Sequence, residues 1–152
     1  SEVVREGIQD VRGSLNRLRP GALEGRTLKD ALEKMIREYQ TLSNLQVDLH
    51  YEWVDVDMDV MIEDTIFRVI QESMTNAVRH GHASQMSLHF FENEEDYLIE
   101  LQDNGVGFET LTYGYGLKQM MERISILGGQ LQFESRDGFF TRISLPKYKE
   151  GR

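Results

Sequence analysis

Gln71-Glu-Ser-Met-Thr-Asn-Ala-Val-Arg-His-Gly-His-Ala83 is the stretch on which the reading of this chain turns. Residues four apart stack on one face of a helix, so Glu72, Asn76, Arg79, His80 and Ala83 form one stripe. Ile66, Val69, Ile70, Ser73, Met74 and Ala77 form the apolar stripe beside it. The polar edge thus carries a carboxylate, a neutral oxygen ligand and two candidate cations. A solvated helix face mixes Lys and Glu freely. What favours a functional edge here is the glycine-rich sequence downstream, Asp103-Asn-Gly-Val-Gly-Phe108 and Gly114-Tyr-Gly-Leu117.

At 152 residues the chain has the size of one ordinary domain and can bury one substantial core. Its formal charge of −9 argues against a broad grip on nucleic acid, which needs clustered Lys and Arg. A single nucleotide held by local donors is still allowed. With no cysteine there is neither a disulfide framework nor a thiolate metal site, which fits a reducing, cytoplasmic setting. No apolar run approaches the roughly 20 residues that span a bilayer. No membrane contact is expected of this stretch, whether or not a parent protein is membrane-anchored.

The spacing of Val4, Ile8, Val11, Leu15 and Leu18 predicts a helix over 1–19, stopped by Pro20-Gly21. It starts at Ser1 without a cap motif, so the chain is expected to be cut from something longer. A second helix runs from an N-cap at Thr27 to about Leu45. Val47 to Trp53 alternates as a half-buried strand does. Asp57 or Asp59 caps the long helix that reaches His80, with Gly81 as its C′ residue. Met86–Phe91 and Tyr97–Gln102 read as a hairpin, and 104–113 as a loop. Gly116 to Leu127 is helical and ends at Gly128-Gly129. Gln130–Ser135 and Phe139–Leu145 flank Asp137-Gly138, a strong hairpin turn. The expected fold is α/β, a two-layer sandwich of a mixed, largely antiparallel sheet covered on one face by helices. The main domain spans 21–148, with 1–20 the end of a separate helix and 149–152 a tail.

Asn104-Gly105 after an alternating run suggests a hairpin, but no second alternating run follows. The alternative is a strand-end aspartate, Asp103, that accepts a hydrogen bond from an exocyclic amine, beside glycines that let backbone approach a flat ligand. Gly114, Gly116 and Leu117 open a helix whose N-terminal N–H groups favour an anion. Neither standard nucleotide fingerprint, GxxxxGK[ST] or GxGxxG within a βαβ unit, is present. Asn76 suits magnesium, which is held by few protein oxygens together with waters and phosphates. Glu72, one turn earlier, can orient or deprotonate a nucleophile. Arg79 and His80 can meet phosphate charge, although His80 reads equally well as a helix-end cation. His50 and His89 are surface or edge residues, and His82 has no assigned role.

QESMTNAVRH, DNGVGF and GYGLKQMMERISILGG, in this order, resemble the N, G1 and G2 boxes of the ATP-binding domain of sensor histidine kinases. The wider superfamily includes gyrase, Hsp90 and MutL, and the likeness is greatest to kinases paired with helix-turn-helix response regulators. It covers roughly 20–146, and the helix ending NRLRPGAL resembles the tail of that family's second dimerisation helix. The resemblance implies a Bergerat-type sandwich binding ATP with Mg²⁺ between the long helix and a lid. Asn76 would coordinate Mg²⁺, Glu72 would be the base or orienting carboxylate, and Asp103 would read the adenine amine. Gly105, Gly107, Gly114 and Gly116 would line the pocket and hinge the lid, with Leu117 beside them and Arg79 and His80 near the phosphates. The implied partners are a histidine-bearing dimerisation domain of the same parent protein and its response regulator.

Three departures from the family pattern stand out. The lid between Gly107 and Gly114 is only six residues, position 140 is Phe where glycine is frequent, and the phospho-accepting segment is missing. Two rivals keep part of this reading: a serine kinase of anti-sigma type or an ATPase, and a degenerate domain that binds only protein.

Overall fold

A computed structural model describes residues 23, 25–54, 56–108 and 115–147. The expected helix over 1–19, the segment 109–114 and the tail lie outside them. In chain order the elements are α1 (Leu28–Leu42), β1 (Gln46–Tyr51), α2 (Val60–Arg79), β2 (Gln85–Glu92) and β3 (Asp96–Asp103), then α3 (Tyr115–Ile126), β4 (Gln130–Ser135) and β5 (Phe139–Pro146). The five strands form one sheet in the order β1-β2-β3-β5-β4. Among the described residues no helix is long and apolar enough to cross a membrane.

The helices form where the sequence supplies caps. The Thr27 hydroxyl accepts from the Asp30 N–H at 3.1 Å, and the Asp59 carboxylate, rather than Asp57, accepts from Met61 N–H at 2.7 Å. The first helix ends at Leu42, short of the expected Leu45. Both the N–H and the hydroxyl of Ser43 donate to the Tyr39 carbonyl at 2.9 Å and turn the chain out of the helix. Leu45 is nevertheless fully buried as the chain enters the sheet.

The hairpins stand as the turn residues predict. Asn93 Oδ1 accepts from Glu95 and Asp96 N–H groups between β2 and β3, and Asp137 and Gly138 take the left-handed backbone that closes β4 on β5. β1 is the exception to antiparallel pairing. It runs parallel to β2, Gln46 opposite Gln85 through Tyr51 opposite Phe90, because α2 carries the chain back across the sheet before β2 begins.

One face of the sheet meets the helices. Val47, Leu49 and Tyr51 of β1, Met86, Leu88 and Phe90 of β2, and Ile99 and Leu101 of β3 pack beneath Ile66, Val69, Ile70 and Ala77 of α2 and the inner face of α1. Each fully buried apolar side chain contributes about 1.5–3 kcal/mol. The Tyr39 hydroxyl donates to the Met74 carbonyl at 3.1 Å and so ties α1 to the middle of α2. At one end of the sheet Tyr51, Trp53, Phe90 and Tyr97 form an aromatic cluster with centroids 5.0–5.8 Å apart. On the other face Arg142 pairs with Glu100, and at the aromatic end Lys147 pairs with Glu92 and lies over the Tyr97 ring.

Near the aromatic end, Glu63 in the first turn of α2 has its carboxyl raised above the usual range by burial and then by Asp57. Burial, and secondarily Glu63, push Tyr51 up to about 12. A carboxyl whose folded pKa is raised favours the folded state when protonated, and that contribution is lost as pH rises through the folded value. Glu63→Gln is therefore expected to raise the melting temperature at neutral pH. The gain should fade as pH falls toward the ordinary glutamate value of 4.5. Melting curves across that range, read by circular dichroism, check it.

Candidate functional site

The end of the sheet opposite the aromatic cluster gathers the glycine-rich segments. Asp103 closes β3, opposite Met86 of β2, and is buried. Its Oδ1 accepts from the Gly105 and Phe139 N–H groups, each at 2.9 Å. Among the described residues, the hydrogen bonds to this carboxylate fall on Oδ1 and leave Oδ2 as an acceptor for a ligand. Gln102 Nε2 donates to the carbonyls of Asp103 and Arg136, at 2.7 and 3.0 Å, and ties β3 to the β4–β5 turn.

That turn fixes the aspartate. Gly138 has φ +133, a conformation that L side chains rarely adopt, and a Cβ there would run into the Asp103 carbonyl and approach Oδ1 to 2.9 Å. Gly107, at φ +66, lies equally close: a Cβ would meet Ser135 Oγ at 2.5 Å and the Gly138 carbonyl at 2.7 Å. Ser135 Oγ accepts the Phe108 N–H at 3.0 Å, and the Phe108 ring packs on Phe139 at 5.2 Å. The loop after Asp103 is thus laid against the β4–β5 hairpin.

On its other side the loop is laid against the end of α2. A Cβ on Gly105 would meet the Gly81 carbonyl oxygen at 2.5 Å, and Val106 N–H donates to that oxygen at 3.0 Å. Gly81 does not take the left-handed conformation expected of a C′ glycine. His82 does, with φ 51, while His80 and Gly81 N–H groups both donate to the Asn76 carbonyl and Ala83 N–H to that of Ala77. The helix therefore unwinds in a wide turn, and Gly81 is small because a Cβ would come within 2.9 Å of the Ala77 carbonyl. Asn104 belongs to this joint. Its Oδ1 accepts from Ser84 and Gln85 N–H groups, and its Nδ2 donates to Ser84 Oγ.

Along α2, Glu72 and Asn76 are half-buried and Arg79 and His80 are exposed at its end. Glu72 lies against the first turn of α3, where a Cβ on Gly116 would collide with its Oε1. Glu72 and Gly116 are therefore brought together. Leu117 is half-buried and packs on the edge of the core. Gly114 lies outside the described residues. Among the described residues no three His, Cys, Asp or Glu side chains converge on a common metal position. The donor chemistry here fits a hard cation held by one carboxamide oxygen, waters and ligand phosphates rather than a cage of side chains.

Buried and inward-facing beside Leu101, Thr141 of β5 is a polar residue of this end that motif reading passed over, as it did Asn104, Ser135 and Gly138. The hairpin turn residues had been read as turn chemistry alone. Nothing local in the sequence says that they hold Asp103.

Residues 61–149 match the model of the histidine kinase-, DNA gyrase B- and HSP90-like ATPases. The chain belongs to this ATPase family. It is 35% identical over 147 residues to the signal transduction histidine-protein kinase/phosphatase UhpB of Salmonella typhimurium, covering 93% of this chain and 29% of that protein. Its likeness to the sensor histidine kinase LiaS of Bacillus subtilis is 31% over 143 residues, 92% of this chain and 39% of the relative. The chain thus spans well under half the length of these curated relatives. Among solved structures, the histidine kinase AdeS of Acinetobacter baumannii superposes with a TM-score of 0.70 at 18% identity, over 90% of this chain and 77% of that one. The ATP-binding domain of PrrB from Mycobacterium tuberculosis does so at 0.64 and 19%, over 75% and 89%. These two likenesses establish the ATPase-domain fold, with the mixed sheet and one helical layer expected of it.

Because the Gly105 Cβ position is filled by the backbone of Gly81, the joint cannot yield to a methyl group there. Gly105→Ala is expected to destabilise the domain by about 2 kcal/mol and to weaken nucleotide binding, since the joint must open to admit it. Thermal melting reads the first effect and titration calorimetry with ATP the second.

Proposed function

We propose that this chain is the catalytic, ATP-binding domain of a two-component sensor histidine kinase. It binds Mg-ATP and passes the γ-phosphate to a histidine on a dimerisation domain of the same parent protein, from which a response regulator takes it. The observation that carries this reading is Asp103. It is a buried carboxylate with one oxygen held by two backbone N–H groups and the other left to accept from a ligand amine. The relatives of the chain, named as sensor kinases, support the same reading, as does the convergence of the α2 end, the Gly105–Gly107 loop and the α3 start.

In this reading Asp103 accepts from the adenine exocyclic amine, and the glycines at 105 and 107 let the backbone lie close to the ring. Asn76 offers its carboxamide oxygen to Mg²⁺, which neutralises charge on the phosphates. Glu72, beside Gly116, orients the incoming imidazole or takes its proton. Arg79 and His80 supply positive charge near the triphosphate, and Gly116 leaves room beside Glu72 at the start of α3. The transfer step is chiefly positioning and charge neutralisation, so it needs the histidine-bearing helices beside this domain. A cytoplasmic place for the domain follows from its ligand and its regulator.

ATP titration by calorimetry, with and without Mg²⁺, tests the reading. The unaltered chain is expected to bind ATP, and Asp103→Asn to lose at least about tenfold in affinity, because an amide in place of the carboxylate opposes the amine with a donor. Undiminished binding by Asp103→Asn would sink the assignment. Asn76→Ala is expected to remove the Mg²⁺ dependence of ATP affinity while leaving nucleotide binding without metal intact; an unaltered metal dependence counts against the ligand role. With the dimerisation domain added, Glu72→Gln should still bind ATP yet phosphorylate the histidine more slowly. A rate equal to that of the unaltered chain removes Glu72 from the transfer step.

A further inference from the structure

Serine and threonine inside a helix usually bond back to the carbonyl four residues earlier. Thr41, Thr65 and Thr75 do so here, to Arg37, Met61 and Gln71, at 2.9–3.0 Å. Ser73 does not. The residue is 8% exposed, and among the described residues its buried Oγ has no hydrogen-bond partner. An unsatisfied buried hydroxyl carries its full desolvation penalty, and alanine at this position would complete the apolar stripe without it. A group kept at such a cost calls for a ligand.

The position of Ser73 says which ligand. It lies about 60° around α2 from Asn76, on the flank that turns from the Glu72–Asn76 stripe toward the sheet. Gln71, whose Nε2 is also buried and unpaired, lies about 140° from Asn76 on the opposite flank and belongs to different surroundings. One turn beyond Ser73 is Ala77, whose carbonyl accepts from Ala83 just before β2. The first inward residue of β2, Met86, is paired with Asp103, and the next inward residue of β3, Leu101, is paired with Thr141. The turn of α2 that bears Ser73 therefore covers the end of the sheet where Asp103 stands.

We infer that Ser73 is a further base-recognition residue of the nucleotide site. Its hydroxyl makes the hydrogen bond adjacent to that of Asp103 along the edge of the purine, directly or through one water. The inference rests on the ATP-binding reading and deepens it. Adenine presents an amine donor beside a ring-nitrogen acceptor, whereas guanine presents a carbonyl acceptor beside an N–H donor. The carboxylate, which only accepts, matches the adenine amine and opposes the guanine carbonyl, and the hydroxyl donates to the adenine ring nitrogen beside it. Asp103 thus fixes one position of the pattern and Ser73 the next.

The test uses the whole chain with Ser73→Ala and Ser73→Cys. Calorimetry measures affinity for ATP, ADP and GTP, and thermal melting is followed without nucleotide. Ser73→Ala is expected to melt at or above the temperature of the unaltered chain, since it removes an unpaired polar group. Affinity for ATP and for ADP should fall by the same factor, about five- to tenfold for one lost hydrogen bond, while ATP stays preferred to GTP because the Asp103 carboxylate sets that preference. Ser73→Cys, of similar size but a weak donor, should share the loss. The inference is overturned by unchanged ATP affinity, by a loss confined to ATP and spared in ADP, or by a lowered melting temperature of unliganded Ser73→Ala, which would make the hydroxyl a packing group. If the unaltered chain binds no ATP, the functional reading falls and this one with it. If it binds and Ser73→Ala binds equally well, Ser73 alone is dismissed.

Discussion

Two glycines in backbone contact hold the site together. The carbonyl of Gly81, just past α2, accepts from Val106 and lies so near Gly105 that no side chain fits between them. Through that contact the end of the long helix and the end of β3 become one rigid corner. Glu72 and Asn76 are then fixed in space relative to Asp103, although 27 residues separate Asn76 from it in sequence. Asn104 reinforces the corner by accepting from the two residues that lead into β2. A methyl group on Gly105 would separate the helix that carries the polar stripe from the strand that carries the aspartate.

The sheet has two ends of opposite character. Tyr51, Trp53, Phe90 and Tyr97 interlock at one, where large rings in mutual contact anchor the strands. At the other end stand Gly105, Gly107 and Gly138, where side chains are missing and backbone groups take over. Both N–H groups on Asp103 Oδ1 come from backbone, one from its own loop and one from β5. Backbone donors move little once the strands are in place, so the carboxylate is set by the sheet rather than by a flexible partner. Ordering this end costs packing area that the aromatic end and the helical layer make up.

Much of this was legible in the chain, and what was not has a common cause. The caps at Thr27 and Asp59, the Asp137-Gly138 turn and the alternating strands are local signals, and they placed the elements to within a few residues. Leu45 was read into α1 because its apolar spacing continues. The extended backbone of Ser43, at φ −142 and ψ 175, ends the helix first. The parallel pairing of β1 depends on α2 crossing the sheet, and the left-handed turn falls on His82, while Gly81 is small because of the Ala77 carbonyl. The motif residues were found by their pattern, but the groups that hold them were not. Phe139 lies 36 residues from Asp103 and Asn104 20 from Ser84, separations at which no spacing rule operates. Ser73 was counted as apolar stripe because its burial is plain from periodicity, whereas its missing back-bond is visible only in three dimensions.

The stripe on α2 works only at one rotation of the helix. Glu72 must meet Gly116 of α3, Ser73 the sheet, and Asn76 the corner at Gly81, and each lies on a different flank. A slip of one residue turns the helix by about 100°, which would carry Glu72 away from α3 and bring the arginine side toward the core. Three contacts exclude that slip. Asp59 caps the first turn, the Tyr39 hydroxyl binds the Met74 carbonyl from α1, and the wide turn at 80–83 commits the carbonyls of Asn76 and Ala77. The middle clamp lies within one turn of Ser73 and Asn76, where an error in rotation would matter most. The carbonyl of Asn76 is itself engaged in the turn, so the residue that offers its carboxamide to a cation is anchored by its own backbone. Sequence order along the helix is thereby converted into fixed directions in space, which a site made of single residues from separate elements requires.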